Sequence, residues 1–170
     1  MPVMVALLRG VNVGGKTTLA MADLRRVATD LGYQDVSTYI QSGNLLLRAS
    51  ARPARVARDL AAGIAALGGV EPDVLVRTRT QLAALVTGNP FVERGEDPAR
   101  CHVLFTESGP PTPLDVQPPE EAMASGSDVY LFLPNGVGRS PLAKELTKAR
   151  AGTVRSWRTV TKLLDLADGL

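Results

Sequence analysis

The residues best equipped for chemistry stand near the N-terminus. Gly10-Val11-Asn12-Val13-Gly14-Gly15-Lys16-Thr17 matches the spelling of a nucleotide-binding P-loop, and it lies between an apolar run and a helical pattern, as that motif requires. In a P-loop the backbone N–H groups wrap phosphate, which would put Lys16 on the outer phosphates and Thr17 on magnesium. Three features of the context argue against it. The helical period begins near Met21 and not at Lys16, so an anion in the loop would miss the field of a helix N-terminus. No later strand candidate ends in the acidic residue that would hold the metal, since Val74-Leu75-Val76 runs into Arg77 and Leu131-Phe132-Leu133 into Pro134. A hairpin around Gly43 implies antiparallel neighbours, whereas P-loop proteins use a parallel sheet. Two other readings stay open. Gly14 and Gly15 supply positive φ for a wide turn with Lys16 merely exposed, or Arg9, Asn12 and Lys16, beside flexible backbone donors, bind an anion without hydrolysing a nucleotide.

Two further clusters carry polar chemistry. Tyr39-Ile40-Gln41-Ser42-Gly43-Asn44 gathers an aromatic and several hydrogen-bonding side chains at a hairpin tip, a common place for binding groups. The alternative is that Asn44 caps the turn through its own backbone. Thr153-Val154-Arg155-Ser156-Trp157-Arg158-Thr159 brackets the only tryptophan with two arginines, a combination suited to stacking and phosphate binding. The alternative makes Trp157 a core anchor and Thr159 a helix cap. Cys101 and His102 are adjacent on a strand candidate, so they point to opposite faces and form no thiol–imidazole pair. No Ser/His/Asp set exists without His102, and no paired carboxylates stand out.

These residues need elements to position them. Val3 to Leu8 reads as a buried strand; Met21, Leu24, Val27, Ala28 and Leu31 recur at helical spacing with Gly32 as the C-terminal cap. Val36 to Ile40 and Leu45 to Leu47 form a hairpin, Pro53 to Leu67 an alanine-rich helix closed by Gly68-Gly69, and Asp73 to Arg77 a strand with Val74 and Val76 on one face. The order β-α-β-β-α-β with a central antiparallel hairpin predicts an α+β, ferredoxin-like (split βαβ) sheet with helices packed on it. Thr80 to Val86 continues as a short helix that Gly88-Asn89-Pro90 stops. Beyond it Cys101 to Phe105 and Val129 to Leu133 are strands, separated by a proline-rich passage from Pro110 to Pro119 and a short helix expected at Glu120 to Ala124. Ser140-Pro141 opens a basic helix through Arg150, and a last helix carries Val160, Leu163, Leu164 and Leu166. No internal repeat is visible at the residue level. The chain divides as subdomains 1–79 and 80–170, or forms one compact unit.

With 170 residues, 45% hydrophobic and 21% charged, the chain can bury a sizeable core and is not disordered. One cysteine and one histidine exclude an internal disulfide and a Cys/His zinc site. No apolar run reaches the roughly 18 residues of a membrane span, and Val3 to Leu8 is too short for a signal peptide, so the cytoplasm is the expected location. Net charge is only +2, yet residues 139–170 carry seven Lys and Arg against three acids while residues 101–138 carry five acids and no Lys or Arg. Such a cationic end attracts phosphate, nucleic acid or an acidic partner, unless its bases are solvated helix faces.

Five stretches in order, Leu7 to Lys16, Met21 to Leu24, Thr38 to Asn44, Asn89-Pro90-Phe91 and Thr153 to Leu163, resemble the signature segments of the bacterial DUF1697 family of hypothetical proteins. The resemblance runs nearly end to end. It implies two ferredoxin-like subdomains with antiparallel-containing sheets and no established activity. The chain departs from the family's usual Arg-Asn-Trp-Asn tail at Arg155-Ser156-Trp157-Arg158. The family's loop generally lacks threonine after the lysine, so Thr17 completes the P-loop spelling incidentally.

The functional expectation is a non-catalytic or weakly catalytic protein that binds an anionic ligand, nucleotide or nucleic acid. Its face would be formed by the loop, the hairpin tip and the basic tail. Arg9, Asn12, Lys16, Arg155 and Arg158 would meet charge beside the backbone of Gly14 and Gly15. Tyr39 and Trp157 would stack, and Gln41, Ser42 and Asn44 would hydrogen-bond. The competing expectations are a small P-loop phosphotransferase using Lys16 and Thr17, and an interaction module whose basic tail docks an acidic partner.

Overall fold

Strand β1 (Val3–Arg9) is apolar on both sides: Met4, Ala6 and Leu8 face one way, Val5 and Leu7 the other, and all five are buried. The computed structural model describes the chain's 170 residues except Gly14, Lys16 and Thr17. Helix α1 (Met21–Asp30) buries Leu24, Val27 and Ala28, one stripe at helical spacing. Strands β2 (Gln34–Tyr39) and β3 (Asn44–Arg48) form the expected hairpin. Helix α2 (Pro53–Ala65) starts with proline, which costs nothing where no intrahelical N–H partner exists, and buries Val56, Leu60 and Ile64. Strand β4 (Asp73–Thr78) completes an antiparallel sheet in the order β2-β3-β1-β4. Each strand-helix-strand connection therefore straddles a strand of the other, which is the split βαβ arrangement the sequence predicts. Met4, Ala6 and Leu8 meet Leu24, Val27, Leu60 and Ile64 in the core between sheet and helices, where a fully buried leucine is worth roughly 1.5–3 kcal/mol.

Helices α3 (Arg79–Thr87) and α4 (Pro90–Glu93) follow, the latter capped by the Asn89 side chain, which accepts from the N–H groups of Phe91 and Val92. Strands β5 (Cys101–Phe105), β6 (Glu121–Ser125), β7 (Asp128–Phe132) and β8 (Thr153–Ser156) make a second antiparallel sheet, in the order β6-β7-β5-β8. Helix α5 (Pro141–Lys148) enters through Ser140, whose Oγ accepts from Ala143 N–H at 2.9 Å, and α6 (Trp157–Asp168) ends the chain's regular structure. Leu104, Val129 and Leu131 pack with Leu142, Ala143 and Leu146 of α5, joined by Leu114 and Val116 from the proline-rich passage.

Three sequence expectations change here. The helix expected at Glu120 to Ala124 is strand β6. Its residues favour a helix in isolation, but the two-residue turn Gly126-Ser127 folds them back on β7, and hydrogen bonding to a buried neighbour overrides a weak local preference. Thr153–Ser156, read only as the approach to the last helix, is strand β8. Ser156 and not Thr159 caps α6, since Thr159 N–H donates to Ser156 Oγ at 3.2 Å.

The chain separates into two compact units, Met1–Leu82 with Leu163–Leu170, and Ala83–Lys162. Within the first, the C-terminal residues are tied back by Arg79, which donates to Asp168 at 2.6 Å, and by Arg48, which donates to the carbonyl of Leu170. Among the described residues, no helix is long and apolar enough to cross a membrane.

Candidate functional site

The loop after β1 and the tip of the β2–β3 hairpin form one corner of the first unit. The chain leaves β1 through Gly10 (φ +76°), inserts Val11 into the core and enters the left-handed region at Asn12 (φ +55°). Asparagine tolerates that conformation better than most residues. The Asn12 side chain then does three things. Its Oδ1 accepts from Leu19 N–H at 2.8 Å, and its Nδ2 donates to the carbonyls of Leu19 at 2.9 Å and Gln41 at 2.6 Å. One amide thus ties Asn12 to Leu19 and to the hairpin.

The hairpin answers from its own side. Leu8 N–H donates to the Gly43 carbonyl at 2.9 Å. Gly43 has φ +84°, and a Cβ there would lie 2.7 Å from Val11 Cγ2 and 2.8 Å from Leu8 Cβ. Only glycine meets both demands. Asn44 is fully buried and donates to the Tyr39 carbonyl at 3.1 Å and to Ser42 Oγ at 2.9 Å, so it braces the turn. Arg9 donates through Nε and Nη2 to Asp73 Oδ2 on β4, at 2.9 and 2.6 Å, which places a carboxylate against its charge.

Outward from these braces lie Gly15 (φ +71°), Gln41, and the exposed apolar side chains of Val13 and Ile40. Gly14, Lys16 and Thr17, on which the sequence reading also leans, lie outside the described residues. The surroundings differ from those of a P-loop: both neighbours of β1 are antiparallel to it, and α1 begins only at Met21.

Arg155, Trp157 and Arg158 sit in the second unit. Arg155 is buried on β8, where it donates to the Val154 carbonyl at 3.2 Å and to Thr153 Oγ1, and burial pushes its pKa down to about 10. Trp157 is only 6% exposed, with its ring 6.5 Å from that of Tyr130 at an interplanar angle of 59°, which is the core-anchor arrangement. Arg158 is exposed. Cys101 and His102 take opposite faces of a strand buried on both sides; burial raises the thiol pKa and lowers that of the imidazole. No group of three or more His, Cys, Asp or Glu residues that could hold a metal ion occurs among the described residues.

The structure therefore brings Arg9, Asn12, Tyr39, Gln41, Ser42 and Asn44 into one loop-and-hairpin corner, with Arg155 to Arg158 in the other unit. Sequence reasoning missed the clamp itself, because it joins residues 29 apart through a backbone carbonyl that no side-chain pattern announces.

Comparisons with known proteins bear on the whole chain. The profile of the family described as "Protein of unknown function (DUF1697)" matches residues 1–132, which reach through β7. A conserved bacterial protein from Streptococcus pneumoniae has a solved structure with a TM-score of 0.76 and 22% identity over 98% of each chain. At that identity the likeness speaks for the fold alone. Comparison with curated proteins gives no match.

Proposed function

We propose that this chain, which belongs to the DUF1697 family of proteins of unknown function, binds an anionic ligand, nucleotide or nucleic acid, in the glycine-containing loop of its first unit. The Asn12 clamp carries this reading. A loop held at its neck and against a hairpin forfeits less conformational freedom when a ligand orders it, so more of each contact appears as affinity. Positive φ at Gly10, Asn12 and Gly15 breaks the alternation of a strand, and backbone N–H groups released from that alternation are the donors from which anion-binding concavities are built.

The roles divide accordingly. In this reading Gly14, Gly15 and Lys16 meet the anion's charge, and Tyr39, Gln41 and Ser42 supply further contacts. Arg9, Asn12 and Asn44 hold the corner in shape, since Asp73 and backbone carbonyls already occupy them. The antiparallel neighbours of β1 and the late start of α1 weigh against a phosphotransferase of the P-loop kind.

Titration with ATP, short RNA and short DNA at two salt concentrations tests the proposal. We expect binding to at least one of them that weakens with salt, falls about tenfold or more in Lys16→Ala, and falls less in Asn12→Ala, which loosens the loop and leaves its charge. Absence of salt-sensitive binding to all three ligands overturns it.

A further inference from the structure

The four outer strands of the two sheets are not equally protected. An outer strand exposes a row of unpaired N–H and C=O groups, and proteins blunt such edges with charges, bulges or prolines. β2 is blunted twice: its register with β3 shifts between Gln34 and Ser37, where Asp35 has φ +51°, and Asp35 faces Arg48 at 2.9 Å. β4 carries a charge near each end, Asp73 and Arg77, and β8 is only four residues long with the inward-turned Arg155 among them. β6 reads Glu-Ala-Met-Ala-Ser, and its one charge, Glu121, stands at its first position. That charge is engaged by Arg94, which donates to both carboxylate oxygens and lies 5.1 Å from the centroid of the Phe91 ring. The rest of the strand has no bulge, charge or proline. Met123 at its centre is 51% exposed.

We infer that β6 is a self-pairing edge through which two copies of this chain associate as a two-fold dimer. The turn Gly126-Ser127 makes Ser125 and Asp128 the hydrogen-bonded pair that closes the hairpin. Alternation along the ladder then aims the N–H and C=O of Ala122 and Ala124 away from β7. A second β6 laid antiparallel about Met123 meets these groups with its own: Ala122 opposes Ala124, Ala124 opposes Ala122, and Met123 opposes Met123. The two-fold axis makes the pairing reciprocal, so each copy's outward groups meet their equivalents on the other, the form of an isologous contact.

Charge agrees with this pairing. In that register Glu121 faces Ser125 of the second copy, and the two Glu121 side chains lie about 13 Å apart along the strands, beyond the roughly 8 Å Debye length of physiological salt. The small side chains flanking Met123 let the backbones approach without a steric conflict. The result is one sheet of eight strands running through both copies.

Sedimentation of the full chain from about 10 μM to about 1 mM, a range suited to a contact this small, tests the inference. We expect a species of twice the 18.0 kDa chain mass in the wild type, and the single mass in Met123→Lys, which puts like charges on the two-fold axis. Met123→Cys supplies the positive signal. Opposed Cα atoms of a non-hydrogen-bonded pair are about 4.5 Å apart, within disulfide reach, so mild oxidation should give a covalent dimer while the wild type, with its buried Cys101, gives none. A wild type that stays at the single mass throughout overturns the inference. So does a dimer that survives Met123→Lys without Met123→Cys cross-linking.

Discussion

The two units use one sheet plan with different coverings. In each, the first strand lies beside the third and fourth, and the second lies at the edge, giving β2-β3-β1-β4 in one and β6-β7-β5-β8 in the other. Each plan is crossed twice in the first unit by helices, α1 and α2. In the second, α5 makes one crossing and the proline-rich passage between β5 and β6 makes the other. Leu24, Val27 and Ala28 cover the first sheet from a helix, whereas Leu114 and Val116 cover the second from extended chain. The comparison teaches that the sheet needs apolar side chains at fixed places on its face and is indifferent to the backbone that delivers them. The corner chemistry is repeated as well. Asn12 donates to the Gln41 carbonyl at the first hairpin, and Thr106 donates to the Ser127 carbonyl at the second.

The corners differ in tightness, and that difference is open to attack at the two turn glycines. A Cβ on Gly43 collides with Val11 and Leu8, whereas one on Gly126 (φ +60°) meets nothing within 4 Å. Gly43→Ala should cost about 2–5 kcal/mol, combining left-handed strain with overpacking, and Gly126→Ala only about 1 kcal/mol. Denaturant midpoints of the two variants decide the matter, and equal costs would remove the claim that the first corner is the tighter one. The coverings are separable next. Leu24→Ala empties a fully buried site and should cost about 2–5 kcal/mol, while the half-buried Leu114 should cost about half as much or less when cut to alanine. Thermal melts of both variants measure this.

The smallest contrast is in pH. The chain's one histidine, His102, belongs to the second unit, and burial holds its pKa below the ordinary 6.5. Below that ordinary value the unfolded chain takes up a proton that the folded unit resists, so stability is complete above about 6.5 and declines as pH falls toward the lowered folded value. Hydrogen exchange between pH 7.5 and 5.5 should show this decline in the strands of the second unit and not in those of the first. His102→Gln should flatten it.

Legibility in the sequence follows the same divide. The first unit announces itself because Met21 to Leu31 and Pro53 to Leu67 carry helical periods closed by glycine, and Val3 to Leu8 is an unbroken apolar run. The second hides its plan. β6 is built from helix-favouring Glu, Ala and Met and becomes a strand only by pairing with β7, and β8 offers four residues with a buried arginine among them. The repeat of topology leaves no trace at the residue level, since equivalent places are filled by a helix in one unit and by prolines in the other. At the candidate site the polar residues are visible, and so is a bracing role for Asn44 in its own turn. Asn12 and Arg9 are recognisable as structural only when the Leu19 and Gln41 carbonyls and Asp73 are placed opposite them.

The central claim is that the braced loop of the first unit is where an anion binds, and amide chemical shifts followed during a titration with ATP or short RNA test it residue by residue. The account predicts salt-sensitive shifts confined to the 10–19 loop and the 40–44 turn, lost in Lys16→Ala. Shifts that map instead to Arg155 and Arg158, or no shift in either stretch, would contradict it.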